Sequence, residues 1–245
     1  MLQLGERLKA IEFRNVTKGF DGTVVLDGLS FAVEQGEILA IVGPSGTGKS
    51  VTLKHIVGLL EPDSGEVEVT SERIGYLFQS GALLAWMSVW DNVALPLRES
   101  TKLGEDEIER RVAAALEAVG LADAAEKFPS EISGGMQKRA GLARSIVRAA
   151  DVILYDEPTS GLDPVSARTI DRLIVRLNRE RGITSVIVTH DLPSALRTAD
   201  RILLLKGGKA VFCGTTDDFV ASEIVDVKEF VDAVKDNGDG DEKKE

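Results

Sequence analysis

The chain has 245 residues, 43% of them apolar, with 40 acidic against 29 basic side chains and a formal charge of −11. That length suits one large α/β domain, or a domain with an inserted lobe. The charge argues against a general electrostatic grip on nucleic acid, no apolar run approaches the ~20 residues that cross a bilayer, and the single cysteine, Cys213, excludes an internal disulfide.

The opening Met1-Leu2-Gln3-Leu4-Gly5-Glu6-Arg7 lacks a succession of basic, apolar and small residues, so no secretory leader is expected. Short β-prone runs follow at Ile11–Val16, Thr23–Leu26, Leu29–Val33 and Ile38–Val42, with turn residues Asp21-Gly22 and Gln35-Gly36 between them. Strands this closely spaced predict an antiparallel sheet laid beside the strand at 38–42.

That last strand leads into Gly43-Pro44-Ser45-Gly46-Thr47-Gly48-Lys49-Ser50, and then into Val51–Gly58 at helical spacing. Strand, glycine-rich loop and helix in that order form a P-loop. The glycines let consecutive N–H groups point inward at phosphate oxygens, and the helix adds the positive end of its dipole. Lys49 is expected to reach the β- and γ-phosphates and the Ser50 hydroxyl to ligate Mg²⁺. The residues expected to line the nucleotide are therefore Gly43, Pro44, Ser45, Gly46, Thr47, Gly48, Lys49, Ser50 and Val51.

Strands are predicted again at Glu66–Thr70 and Arg73–Phe78, with Gln79 just past the second. From about Leu83 to Ala149 the pattern becomes helical. Glu105–Val119 carries Ile108, Val112, Ala115, Leu116 and Val119 on one face and stops at Gly120. Residues 83–149 thus read as an inserted helical lobe. Within it, Ser133-Gly134-Gly135 opens a helix, an anion-binding end or else a plain N-cap.

Apolar strands return at Val152–Tyr155, Ser185–Thr189 and Ile202–Leu205, with a helix opened by Asp163-Pro164 between the first two. Nearly continuous apolar strands alternating with helices imply a parallel sheet covered on both faces. Asp156 and Glu157 close the first of these strands. The pair suits a Mg²⁺-facing carboxylate, Asp156, and a general base for water, Glu157. Cys213 is expected to pack in a strand. Val220, Ile224, Val227, Phe230, Val231 and Val234 recur at helical spacing beyond the core, and the acidic stretch 237–245 has nothing apolar to bury, so it is expected to be disordered.

Six motifs stand in order: the P-loop at 43–50, Gln79, Ile132-Ser133-Gly134-Gly135-Met136-Gln137, the acidic strand end at 152–157, Ser160-Gly161-Leu162-Asp163, and His190. Over residues 11–215 the chain resembles the nucleotide-binding subunits of ABC transporters. The resemblance implies an α/β fold: a RecA-like P-loop NTPase core with a parallel sheet (11–82 and 150–215), an antiparallel β subdomain, an inserted α-helical lobe and a C-terminal helical extension at 216–236. It further implies an ATPase that works as a head-to-tail homodimer. ATP and Mg²⁺ would lie between one chain's P-loop and the other chain's Ser133, Gly134 and Gly135.

Asp163 would couple the two sites. His190 would hold the γ-phosphate and orient Glu157. Gln79 would touch the nucleotide and Mg²⁺ and link the site to a membrane partner. Phe20 stands where the family usually has a tyrosine stacked on adenine, and it supplies the same π face. Ile132 and Met136 depart from the common Leu-Ser-Gly-Gly-Gln signature.

The stretch Phe78-Gln79-Ser80-Gly81-Ala82-Leu83 through Asp91-Asn92-Val93-Ala94-Leu95-Pro96-Leu97-Arg98 is similar to ATPases of Mla/Mce-type phospholipid transport. This narrower resemblance implies a peripheral subunit on the cytoplasmic face of the inner membrane. A permease would dock near Gln79–Trp90, an Mce-type lipid-binding subunit would be a further partner, and nucleic acid would not be one. ABC transport of another substrate, or a soluble ABC ATPase acting on nucleic acid or ribosomes, are the alternatives. A P-loop kinase or GTPase would leave Ser133-Gly134-Gly135 and His190 without a role.

Overall fold

The computed structural model describes residues 8–238 of the chain. In chain order the strands and helices begin with β1 (Lys9–Phe20), β2 (Thr23–Glu34), β3 (Ile38–Val42), α1 (Lys49–Ile56), β4 (Ser64–Val69) and β5 (Ile74–Leu77). There follow α2 (Val89–Ser100), α3 (Glu105–Ala118), α4 (Gly134–Ile146), β6 (Val152–Asp156), α5 (Pro164–Arg181) and β7 (Thr184–Thr189). The chain continues through α6 (Leu192–Thr198), β8 (Arg201–Lys206), β9 (Lys209–Thr215), α7 (Thr216–Val220) and α8 (Val225–Gly238). By packing, the described residues fall into two compact units, one within 1–70 and 188–245, the other 71–187.

In the first unit β1 pairs antiparallel with β2 on one side and β4 on the other. β2 runs unbroken through Asp27-Gly28, where two strands were expected. Gly28 takes φ 64° and its amide bonds the Thr17 hydroxyl at 3.2 Å, so a turn-like dipeptide is absorbed as an irregularity in the ladder. β3 pairs parallel with β8, and β8 antiparallel with β9. All five residues of β3 are buried, because both of its faces are covered. One cover is a cluster of Ala40, Val42, Leu192, Ala195, Ile202, Leu204, Phe219 and Val227, against which Phe230, Val231 and Val234 also pack.

The C-terminal segment is two helices rather than one. The chain breaks at 221–224, where the Ser222 hydroxyl accepts from the Ile224 amide at 3.3 Å. Val220 and Ile224, which share the helical spacing in sequence, are 65% and 43% exposed, so the packed stripe starts at Val227. The acidic stretch lies outside the described residues from 239 onward, and Asn237 and Gly238 belong to α8.

In the second unit β5 pairs parallel with β6, and β7 lies beside β6. The first four residues of β6 are buried and Asp156, the last, is half-buried. α2, α3 and α4 pack on one another, and α4 also packs across β5 and α5. Among the described residues no helix is long and apolar enough to cross a membrane.

Candidate nucleotide site

The first unit carries the phosphate-binding loop. After the buried β3 the chain takes positive φ at Gly43, Gly46 and Gly48 (150°, 79° and 99°) before entering α1. Gly43 is fixed by space as well as by angle, since a Cβ there would lie 2.2 Å from the Leu205 carbonyl oxygen. Pro44, Ser45 and Gly46 form an exposed crest, whereas Lys49 is buried. The Lys49 ammonium donates to the Gly43 and Pro44 carbonyls at 2.8 Å each, so it is drawn back along its own loop. The Thr47 hydroxyl donates to Pro44 O at 2.9 Å and the Thr52 hydroxyl to Gly48 O at 3.1 Å, which brace the loop at both ends.

Phe20 ends β1 at the Asp21-Gly22 turn and is 40% exposed. Lys18 Nζ stands 5.6 Å from its ring centroid and pairs with Asp63 at 2.7 Å. The ring is thus an accessible aromatic platform with a cation beside it. His190 follows the carboxyl end of β7 and is exposed, and Asp191 caps α6 by accepting from the Ser194 amide at 2.9 Å.

The second unit carries the acidic pair. Asp156 accepts from the Tyr76 hydroxyl at 3.1 Å, and burial, reinforced by that carboxylate, pushes the Tyr76 phenol well above its ordinary range. Glu157 adopts φ 49°, a left-handed conformation that costs a non-glycine residue about 1–3 kcal/mol. Its carbonyl accepts from the Ser160 amide at 3.2 Å and from Lys138 Nζ at 3.1 Å. Gln79 Nε2 lies 3.5 Å from Ser160 Oγ. Asp163 caps α5, accepting from the amides of Val165 and Ser166 at 3.0 Å each, and hydrogen bonding from Ser166 holds its carboxyl below the usual range. Ser133 caps α4 by accepting from the Met136 amide at 3.3 Å, and Ser133 and Gly134 are exposed.

Three side chains with a part in this arrangement were not read from the sequence: Tyr76, Lys138 and Arg144. Lys138 is buried, and burial lowers its pKa against the opposing pull of Glu157 and Asp156. The signal was available in α4, where Lys138, Leu142, Ser145 and Ile146 share one helix face and the rest of that face is apolar or small.

Among the described residues no cluster of three or more His, Cys, Asp or Glu side chains could hold a metal. The expected ligands Ser50, Gln79 and Asp156 are oxygen donors, with a single carboxylate among them. Oxygen ligands of this kind are the ones Mg²⁺ takes.

These features define a P-loop nucleoside triphosphatase. Residues 26–160 match the family model described as ABC transporter. The chain is 42% identical over 236 residues to the intermembrane phospholipid transport system ATP-binding protein MlaF of Haemophilus influenzae, covering 90% of this chain and 89% of that protein. It is 40% identical to the chloroplastic protein TRIGALACTOSYLDIACYLGLYCEROL 3 of Arabidopsis thaliana, covering 90% of this chain and 72% of that one. Among solved structures it superposes with a TM-score of 0.77 and 31% identity on the ATP-binding cassette MJ0796, determined as a dimer in a post-hydrolysis state with ADP and Pi, over 84% of this chain and 98% of that one. The chain belongs to the ABC transporter family, as an ATP-binding, ATP-hydrolysing subunit.

Proposed function

We propose that this subunit energises the movement of phospholipid through a separate membrane permease. The observation that carries the reading is the identity to MlaF, which extends over nine-tenths of the chain and so reaches well beyond the common motifs.

In this account ATP binds along Gly43, Pro44, Ser45, Gly46, Thr47, Gly48, Lys49, Ser50 and Val51, with adenine on Phe20. Lys49 leaves its loop carbonyls for the β- and γ-phosphates, exchanging two neutral acceptors for charged ones. Ser50, Asp156 and Gln79 would hold Mg²⁺, which when bound neutralises charge on the phosphate oxygens. Glu157 accepts the proton of the attacking water, and His190 orients Glu157 and the γ-phosphate. A second copy of the chain supplies Ser133, Gly134 and Gly135, and Asp163 couples the paired sites. The exposure of Ser133 and Gly134 at the start of α4 supports that pairing, because a helix N-terminus at the surface suits an anion brought from outside the unit.

The permease docks on the loop and helix from Gln79 to Trp90. Trp86 is 73% exposed there and lines a groove of about 490 Å³ with Met87, Leu95 and Phe128. Ser88, Asp91, Arg98, Glu99 and Glu126 complete its lining, so Trp86 and Phe128 stand as exposed aromatics within a polar rim, the make-up of an interface patch. The subunit accordingly works at the cytoplasmic face of the inner membrane, beside the permease and an Mce-type lipid-binding subunit, and the charge of −11 argues against nucleic acid as the partner.

The test is purification of the chain from detergent-solubilised membranes, with identification of the bound proteins and lipids, followed by ATPase assay of the reconstituted complex. The reading expects hydrophobic partner proteins, co-purified phospholipid and ATPase activity that responds to phospholipid. A chain recovered without membrane partners, or with ribosomes or nucleic acid, would overturn it.

A further inference from the structure

Helix α4, which begins at the exposed Ser133-Gly134, carries two cations that reach back to the loop following β5. Lys138 Nζ donates to Gln79 O. Arg144 donates to Gly81 O at 2.9 Å and to Ala82 O at 2.7 Å. The helix can lie this close because position 141 is glycine: a Cβ there would stand 2.8 Å from Leu77 Cδ1 and 3.0 Å from Gly81 O. About two turns of α4, from Lys138 to Arg144, are therefore keyed to residues 77–82.

Lys138 does one thing more. The same ammonium donates to Glu157 O at 3.1 Å. Gln79 and Glu157 follow the carboxyl ends of β5 and β6, adjacent parallel strands paired from Ile74↔Val152 to Leu77↔Tyr155. One buried side chain thus joins the two loops that leave these strands. It acts where the backbone is strained, since Ala82 and Glu157 hold φ 48° and 49°. Such conformations persist only where the surroundings over-determine them.

We propose that Lys138 is a positioning residue for ATP hydrolysis: from the helix that opens at Ser133 it fixes the backbone of Glu157 and ties it to Gln79, so that the Glu157 carboxylate is presented in one orientation. The proposal deepens the reading of Glu157 as general base and rests on it. Displacement of a catalytic group by about 1 Å can cost a hundredfold in rate. A lysine that merely filled space between α4 and the strands could be replaced by an apolar chain of the same length without kinetic effect. One that orients Glu157 could not.

The experiment compares Lys138→Met, Lys138→Gln and Glu157→Gln with the wild-type full chain. It uses steady-state ATPase kinetics, titration with a fluorescent ATP analogue, and thermal melting. Methionine keeps the length and apolar stem but donates nothing. It should lower kcat about tenfold to a hundredfold, the effect expected for loss of a charged hydrogen bond, while KM and nucleotide affinity stay within about twofold. Glutamine, which can donate to one carbonyl, should recover part of the loss.

Wild-type kcat in Lys138→Met, with Glu157→Gln inactive, would overturn the proposal alone. So would a parallel fall of kcat, affinity and melting temperature in both Lys138 variants, which would mark Lys138 as a packing residue. If the methionine variant does not fold, the glutamine variant decides by the same split between kcat and affinity. Near wild-type turnover in Glu157→Gln would overturn the base assignment itself, and this proposal with it.

Discussion

Asn92, fully buried in the first turn of α2, accepts a hydrogen bond from the Leu84 amide at 2.7 Å and returns one to the Leu84 carbonyl at 3.1 Å. The same amide nitrogen reaches Met87 O at 3.2 Å and Ser88 O at 2.9 Å. Loop 84–88 is thus wrapped around one side chain, and Trp86 is held on its outside. Val89 is fully buried and Trp90 half-buried, so only part of the apolar stretch expected to face a partner is exposed.

From this, Trp86→Glu should release the chain from its membrane partner while its melting temperature stays within about 2 °C of wild type, as expected for an exposed site. Asn92→Ala should lower the melting temperature as well as weaken the association, because it leaves buried backbone groups without a partner. Co-purification with the permease, read beside thermal melts, separates the two. Full association of Trp86→Glu would remove Trp86 from the interface.

Phe20→Ala should weaken ATP binding by about 1–3 kcal/mol, the range for loss of base–aromatic stacking, whereas Phe20→Tyr should bind like wild type. Titration with ATP under non-hydrolysing conditions measures both. Equal affinity in the alanine variant would show that the ring serves only Lys18 and the turn.

The C-terminal helices pack on their own chain, through Phe219 and Val227 at 0% and 1% exposure. Phe219→Ala should cost about 3–5 kcal/mol of stability through the cavity it leaves under β3 and β8. Val220→Ser and Ile224→Ser, on exposed positions, should change it by less than about 0.5 kcal/mol. Truncation after Asp218 should likewise destabilise the isolated chain, which urea unfolding would detect. A truncation that lowers dimer formation alone would contradict this packing.

Glu37 makes a pH prediction. Its buried carboxylate accepts from the Glu34 amide at 2.6 Å and from Arg201 at 3.0 Å, yet burial outweighs these bonds and raises its pKa above the ordinary 4.5. The folded state therefore binds this proton more tightly than the unfolded state. Its contribution to stability is complete below the unfolded pKa and is lost as pH rises through the folded one. Glu37→Gln, which mimics the protonated form, should gain on wild type as pH is raised from 4.5 toward neutrality. Unfolding free energies of both proteins across that window check the sign, and a gap moving the other way would refute it.

The strands that carry the loops could be read from the chain because burial on both faces leaves uninterrupted apolar runs, as at Ile38–Val42 and Val152–Tyr155. Helix starts could be read where a side chain caps them, as at Ser133 and Asp163. Two features of the fold were hidden. At Asp27-Gly28 turn residues lie within a strand, and at Val220–Ile224 helical spacing continues through a break. In both, a hydrogen bond from a backbone amide to a hydroxyl, Gly28 to Thr17 or Ile224 to Ser222, overrides the pattern. Lys138 was legible only in part: its place on the apolar face of α4 marks it as buried, but the approach of the loops after β5 and β6 is needed to show what its ammonium holds.

The most direct test of the account is Glu157→Gln. Glutamine keeps the volume of the side chain but cannot take a proton from water. The variant should bind ATP with wild-type affinity, hydrolyse it at least about a hundredfold more slowly, the lower end of the range for general-base catalysis, and accumulate as an ATP-bound dimer resolved by size-exclusion chromatography. Turnover near the wild-type rate, with no dimer trapped by ATP, would contradict it.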